Sequence, residues 1–555
     1  MHSPLFLNSC WMMWCSREAR AYRRDSRRVQ HAQERLLRQI VTRNQATWYG
    51  TKHHFPRIGG VEQFRRLVPL TTYDDYQKPI ERIAAGEAGV LTDERVELLE
   101  PTSGSTSAEK LIPYTAGLRR EFQRAIRVWI SDLFTHRPAV RPGYAYWSIS
   151  PLANEKRHTS GGVPIGFDDD ASYLGNVEKY LLSKTMAVPP EVAGCSNLST
   201  ALYATLFFLL RCPQLSLISV WSPTFLSGML HLLQTQCEQL CDDLSRGKIS
   251  ADVPSCLAKE FAPDPARADH LRAILQGSNR NAHWAREVWP NLALVSCWTD
   301  GPSSTYATQL QNQLPGIEIQ PKGLLSTEAF TSLPLLSHPG ASLAFRSHFF
   351  EFQSVDPHGD PLEDLTHLAH ELKPGAQYRV VVTTSGGLYR YQTMDQVEVV
   401  GFNNQAPLLR FVGKCDRTSD LVGEKLHAAF VQSVLDKAFV AFEITPQFAE
   451  LAAQGSEKPF YLLRIVDSKL HNDNQLCERL RAKVELGLRS NRQYAYAVDA
   501  AQLGPLQIET RSPAQEKEGP HSVSLGGNAK LHHGRFKAST LTLMTNNASP
   551  VANER

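Results

Sequence analysis

The 555-residue chain lacks any apolar run long enough to cross a bilayer. Its most apolar stretch, "ALYATLFFLLRC" at 201–212, is the length of a buried helix. Neither sign of charge dominates: 59 Lys and Arg stand against 56 Asp and Glu, and a net charge of +3 gives no bulk argument for nucleic acid or an anionic surface. The ten cysteines include no C-x-x-C pair and no accompanying His cluster. That excludes a zinc site or disulfide frame and reads as buried thiols in a reducing compartment. No G-K-[ST] closes a glycine loop, so there is no Walker A motif. No G-x-S-x-G elbow marks a nucleophilic serine. The N-terminal "MHSPLFLNSCWMMWC" has neither the basic start nor the small-residue cleavage pattern of a secretory leader. The paired histidines at 53–54 and 532–533 have no partner at metal-binding spacing.

What is present is an ordinary globular composition, 42% hydrophobic and 21% charged, in a chain long enough for more than one domain. The Arg-rich stretch from residue 16 reads as a solvated helix docking through Val29, Leu36, Leu37 and Ile40, with contact to a membrane surface or RNA as the alternative. Strand patterns at 144–150, 215–221 and 292–298 alternate with helical runs at 198–211 and 223–244, which predicts an α/β domain with β-sheets covered by helices. From about 342 the chain becomes β-rich, and after "GKCDRTSD" it returns to α/β, with helices at 425–439 and 475–490 around a strand "FYLLRIVD". The expected division is a large N-terminal domain over 1–413, a smaller mobile α/β domain over 414–542, and a disordered tail over 543–555.

Five stretches carry candidate chemistry. In "EPTSGSTSAEKLIPYT" a strand at 95–101 feeds a loop in which Thr102, Ser103, Gly104, Ser105, Thr106 and Ser107 offer donors. Consecutive loop N–H groups form an anion-binding concavity, and Lys110 adds a point charge, a combination suited to a polyphosphate or to a plain Ser/Thr-rich turn. Thr115 then caps a helix with Leu118, Phe122, Ile126, Trp129 and Leu133 at helical spacing. In "KGLLSTEAF" a strand is expected to end near Leu325, leaving Ser326, Thr327 and Glu328 at a carboxyl edge, where a carboxylate can hold Mg²⁺ beside phosphate. "GGLYRYQTMDQVEVVGF" places Asp395 in a hairpin pattern, where it is either a turn residue or an acceptor for both hydroxyls of a ribose. "FVGKCDRTSDLVGEKL" is a charged connector, hinge or linker, with Lys425 opening the next helix. "GGNAKLHHGRFKAST" is basic, and by itself Lys537 is a surface lysine.

In this order, these stretches resemble the auxin-responsive acyl acid–amido synthetase family, with a hinge segment like that of its bacterial-type members. "VPLTTYDDYQKPIERIAAGE" is similar to that family's VP…Y-x-x-Y stretch, and "CWTDGPSSTYATQL" to its W-x-[DG]-G segment. The family sits in the adenylate-forming superfamily. The resemblance implies ATP and Mg²⁺ as cofactors, a carboxylic acid converted to acyl-AMP, and transfer of the acyl group to an amine such as an amino acid.

It assigns phosphate contacts to the 102–107 loop and Lys110, Mg²⁺ to Glu328 beside Thr327, and ribose to Asp395. Lys414 and the pivot Asp416 fall at the hinge, with Lys425 a further phosphate or ribose contact and Lys537 swinging in to the α-phosphate. Arg119, Phe122, Gln123 and Ile126 share a helix face that either lines the acid pocket, with segments near 160–174 and 216–222, or packs the core. The chain departs from the family pattern at Ser105, Ala108, Met394, Lys414 and Arg535. A thioester ligase using the same first step, and a degenerate nucleotide or acid binder, are the alternatives. No nucleic acid partner, no membrane insertion, and a cytoplasmic monomer or weak dimer are expected.

Overall fold

The computed structural model describes residues 3–101, 110–148, 157–167, 174–195, 198–276, 283–336, 338–356, 360–415, 418–419, 426–446, 448–454, 459–499, 503–511 and 541–542. Two helices open the chain. Pro4–Asp25 buries Leu7, Trp11, Cys15 and Tyr22. Trp11 meets Phe134 edge-on at 5.9 Å, fixing this helix against Ala116–His136. In Val29–Arg43 the four apolar positions read from the sequence, Val29, Leu36, Leu37 and Ile40, are all buried. Among the described residues no helix is long and apolar enough to cross a membrane.

Two sheets frame the site. One is parallel throughout, ordered Tyr144–Trp147, Leu215–Ser219, Leu294–Cys297 and Glu318–Pro321. Two of its inner strands, Leu215–Ser219 and Leu294–Cys297, are buried at every position, as the continuous apolar runs of a helix-covered parallel sheet require. The expected strand to Leu325 ends four residues earlier, at Pro321. Gly323 takes φ 75°, where a Cβ would lie 2.4 Å from the Ser332 carbonyl oxygen, so the chain turns there. Leu325 then pairs with Phe330 in an isolated bridge, making 325–330 a tight turn. The run expected over 223–244 is likewise two helices, Pro223–Thr235 and Cys237–Arg246, because Gln236 leaves helical dihedrals (φ −117°, ψ 21°).

The second sheet has seven strands, ordered 361–368, 349–355, 377–383, 391–403, 406–414, 341–343 and 332–334. Its central hairpin, Tyr391–Asn403 with Ala406–Lys414, sets Asp395 directly opposite Lys414. Beyond it a separate core gathers Leu435, Leu451, Tyr461, Leu463, Leu480 and Val484. The helices there run Ala428–Ala441 and Asn474–Leu488.

Candidate nucleotide and acid site

Asp395 is 1% exposed in the interior of the second sheet. Its Oδ1 lies 2.7 Å from Lys414 Nζ, and that ammonium also donates to the Thr393 carbonyl at 2.9 Å. Its Oδ2 is buried with no hydrogen-bond partner among the described residues. A buried carboxylate oxygen left open is costly unless something donates to it. The residue before it, Met394, holds φ 59°, the left-handed conformation that glycine adopts freely. The turn shape that a glycine would supply is therefore kept by a side chain in strain.

Tyr391, on the same strand, lies within the electrostatic reach of both this carboxylate and Glu328. Burial first, then the negative fields of Glu328, Tyr76, Tyr73 and Asp395, push its phenol far above its ordinary range. Glu328 is half-buried and forms no ion pair among the described residues. The turn bearing it is anchored from two sides. Ser326 donates its N–H to the Ala329 carbonyl at 3.0 Å, and Tyr114 Oη donates to the Thr327 carbonyl at 2.6 Å. Below it, Phe330 N–H donates to His348 Nε2 at 3.1 Å, while His348 Nδ1 faces Glu121 at 2.9 Å.

Lys110, at the exit of the Ser/Thr loop, lies 5.5 Å from the ring centre of Tyr73, and Tyr73 Oη accepts from Leu111 N–H at 2.8 Å. Lys110, Tyr73, Tyr391, Glu328, Thr327, Asp395 and Lys414 thus form one connected wall. Tyr73, Tyr114 and Tyr391 were not singled out from the sequence as site residues. Tyr73 lies near Tyr76 and Tyr391 near Tyr389, each in a tyrosine-rich motif, and those repeated tyrosines were the available signal. Thr102, Ser103, Gly104, Ser105, Thr106 and Ser107, and also Asp416, Lys425 and Lys537, lie outside the described residues.

Thr115 caps the Ala116–His136 helix, its hydroxyl accepting from Leu118 N–H at 3.1 Å. On that helix Phe122 is 1% exposed and packs against Tyr114, Phe330 and His348. Ile126 is also buried. Arg119 pairs with Glu97, and Gln123 accepts from Arg127 at 3.5 Å. These four residues are brought to one face, but Phe122 supports the Glu328 turn through the core. At the carboxyl edge of the parallel sheet Trp147 and Ser148 line an apolar cavity with Met186, Val188, Ala201 and Phe225. Beside it Lys322 Nζ donates to Ser219 Oγ at 2.7 Å under three tryptophan rings. Lys322 opens "KGLLSTEAF", yet its spacing gave no sign of a role.

A large domain of mixed sheets followed by a smaller α/β unit is the fold of the acyl acid amido synthetases. A solved acyl acid amido synthetase, GH3.15 in complex with 2,4-DB, superposes with a TM-score of 0.78 at 21% identity, over 95% of this chain and 94% of that one. Residues 19–319 match the GH3 family N-terminal domain and residues 341–414 the GH3 family central domain. The chain belongs to the GH3 family. It is 24% identical over 514 residues to indole-3-acetic acid-amido synthetase GH3.3 of Arabidopsis thaliana, covering 87% of this chain and 85% of that protein. It is 27% identical over 435 residues to GH3.8 of Oryza sativa subsp. indica, which carries the same activity name, covering 74% and 70%.

Proposed function

We propose that this protein is an ATP-dependent acyl acid–amido synthetase that adenylates a carboxylic acid and passes the acyl group to an amine, an amino acid in the simplest case. The relatives' names support the reaction, and the open, buried Oδ2 of Asp395 is the observation that carries the nucleotide assignment. Such an oxygen suits a ribose hydroxyl donor. Lys414 holds the carboxylate in place through its ion pair with Oδ1.

The acid's carboxylate attacks the α-phosphate, forming the acyl–phosphate bond of acyl-AMP as the bond to pyrophosphate breaks. The 102–107 donors and Lys110 meet the charge that builds on the departing phosphates, where one preorganised donor is worth about 3 kcal/mol. Glu328 supplies a single carboxylate, which fits the one or two that Mg²⁺ takes alongside phosphate oxygens, and the bound ion would neutralise pyrophosphate charge there. Lys537 contributes a positive charge at the α-phosphate. The segment around Asp416, following Lys414, acts as the pivot that exchanges the small domain's two faces between half-reactions. An amine then attacks the acyl carbon, and AMP leaves as the amide forms. Amide formation predicts AMP release that needs both an acid and an amino acid and is indifferent to coenzyme A. Stimulation by coenzyme A and not by any amine would replace the amide reading with a thioester one.

A further inference from the structure

Lys322 lies at the carboxyl edge of the parallel sheet, and among the described residues no acidic side chain contributes to its electrostatics. Its Nζ stands 5.2, 5.3 and 5.9 Å from the ring centres of Trp221, Trp129 and Trp147. Burial pulls its pKa down to about 8, slightly opposed by the nearby Cys297 thiol. Indole faces attract a cation, but they do not neutralise it. A half-buried ammonium with no anion beside it among the described residues is a poor choice for stability alone, since an apolar residue of similar volume serves better. The same nest holds a second donor: the indole N–H of Trp147, whose ring lies by the ammonium, is buried with no hydrogen-bond partner among the described residues. The nest therefore offers a positive charge and an unused N–H, and what it lacks is an acceptor with negative charge.

Its position relative to the chemistry follows from the Ala116–His136 helix. Phe122 packs on Tyr114, which holds Thr327, and Trp129 covers Lys322 while its indole N–H donates to Gln320 at 3.2 Å. Seven residues of helix separate the two levels, about 10 Å along the axis. A carboxyl group activated at the Glu328 end leaves Lys322 facing the far end of a molecule roughly one aromatic ring long.

We infer that Lys322, Trp147 and Ser219 read a second acidic group on the acid substrate, and that the substrate class is aromatic dicarboxylic acids with the two carboxyls at opposite ends of the ring. The first carboxyl is activated and the second pairs with Lys322. This rests on the amido synthetase reading of the Glu328 end.

The test is isothermal titration of the full-length protein with terephthalate and benzoate, without turnover. Wild type is expected to bind the diacid at least about 10-fold tighter than the monoacid, the worth of a charge-assisted pair. Lys322→Met is expected to erase that preference, and Lys322→Arg to retain part of it. Equal or undetectable affinity for both acids in wild type, or a preference that survives Lys322→Met, overturns the inference. The wild-type comparison decides even if a variant fails to fold. Diacid preference without any adenylation would sink the synthetase reading and leave this site standing. Adenylation of monoacids with no diacid preference would do the reverse.

Discussion

The Asp395–Lys414 pair can be broken from either end, and the two ends are not equivalent. The Asp395 side chain is 2% exposed and that of Lys414 25%. Lys414→Met leaves a buried carboxylate without its cation, and stranding one partner of a buried pair costs about 3–5 kcal/mol. Asp395→Asn strands a lysine that keeps its bond to the Thr393 carbonyl and reaches water, so the loss falls nearer 1–2 kcal/mol. ATP binding runs in the opposite order. Asparagine loses the charged acceptor, and each charge-assisted hydrogen bond to ribose is worth about 1.5–3 kcal/mol, so ATP affinity drops about 10- to 100-fold. Lys414→Met keeps the acceptor and loses less affinity. Urea unfolding followed by circular dichroism gives the first ranking, and calorimetric titration with ATP on the same preparations gives the second. A more damaging Asp395→Asn in the urea experiment, or unchanged ATP affinity in that variant, would refute the reasoning.

Two further predictions concern single side chains. At Met394, φ 59° costs a side-chain-bearing residue about 1–2 kcal/mol, while glycine frees the unfolded chain by a similar amount. Met394→Gly is therefore expected to leave stability within about 1 kcal/mol and ATP affinity nearly unchanged, whereas β-branched Met394→Val weakens both. A large gain of ATP binding in Met394→Gly would show that methionine distorts the turn. At Lys322, the folded pKa of about 8 lies below the ordinary 10.5, so the unfolded chain holds more protons between those values. Wild-type stability relative to Lys322→Met is expected to rise by about 3 kcal/mol as pH climbs through that window. Urea midpoints of both proteins across the window check it, and a difference independent of pH contradicts it.

Much of the local structure was legible because it is written in short-range chemistry. Thr115 announced its own cap, and Val29, Leu36, Leu37 and Ile40 their buried stripe. The sequence marked Met394 only as a departure from the family pattern, and there the backbone before Asp395 takes a left-handed conformation. Strand ends were less legible. The strand before Glu328 stops at Pro321, and just beyond it Gly323 takes φ 75° so close to the Ser332 carbonyl of another strand that no Cβ would fit, a closeness that no local pattern announces. The order of the seven-stranded sheet, with 341–343 beside 406–414, is likewise set by long-range packing. Lys322 shows the same limit at the site. Its three tryptophans come from one helix, the end of one strand and the loop after another, and only the folded parallel sheet gathers them. Phe122 was visible as an apolar position, but its service to the Glu328 turn depends on Tyr114, Phe330 and His348 arriving from three other segments.

The central claim is adenylation of a carboxylic acid, and acid-dependent exchange of labelled pyrophosphate into ATP measures it directly. The experiment uses the full chain, Mg²⁺, a panel of aryl, indolyl, aliphatic and dicarboxylic acids, and Lys537→Ala alongside wild type. Exchange with at least one acid, falling by about 100-fold or more in Lys537→Ala, is the predicted result. ATP binding with no exchange for any acid, or exchange untouched by Lys537→Ala, would contradict the account.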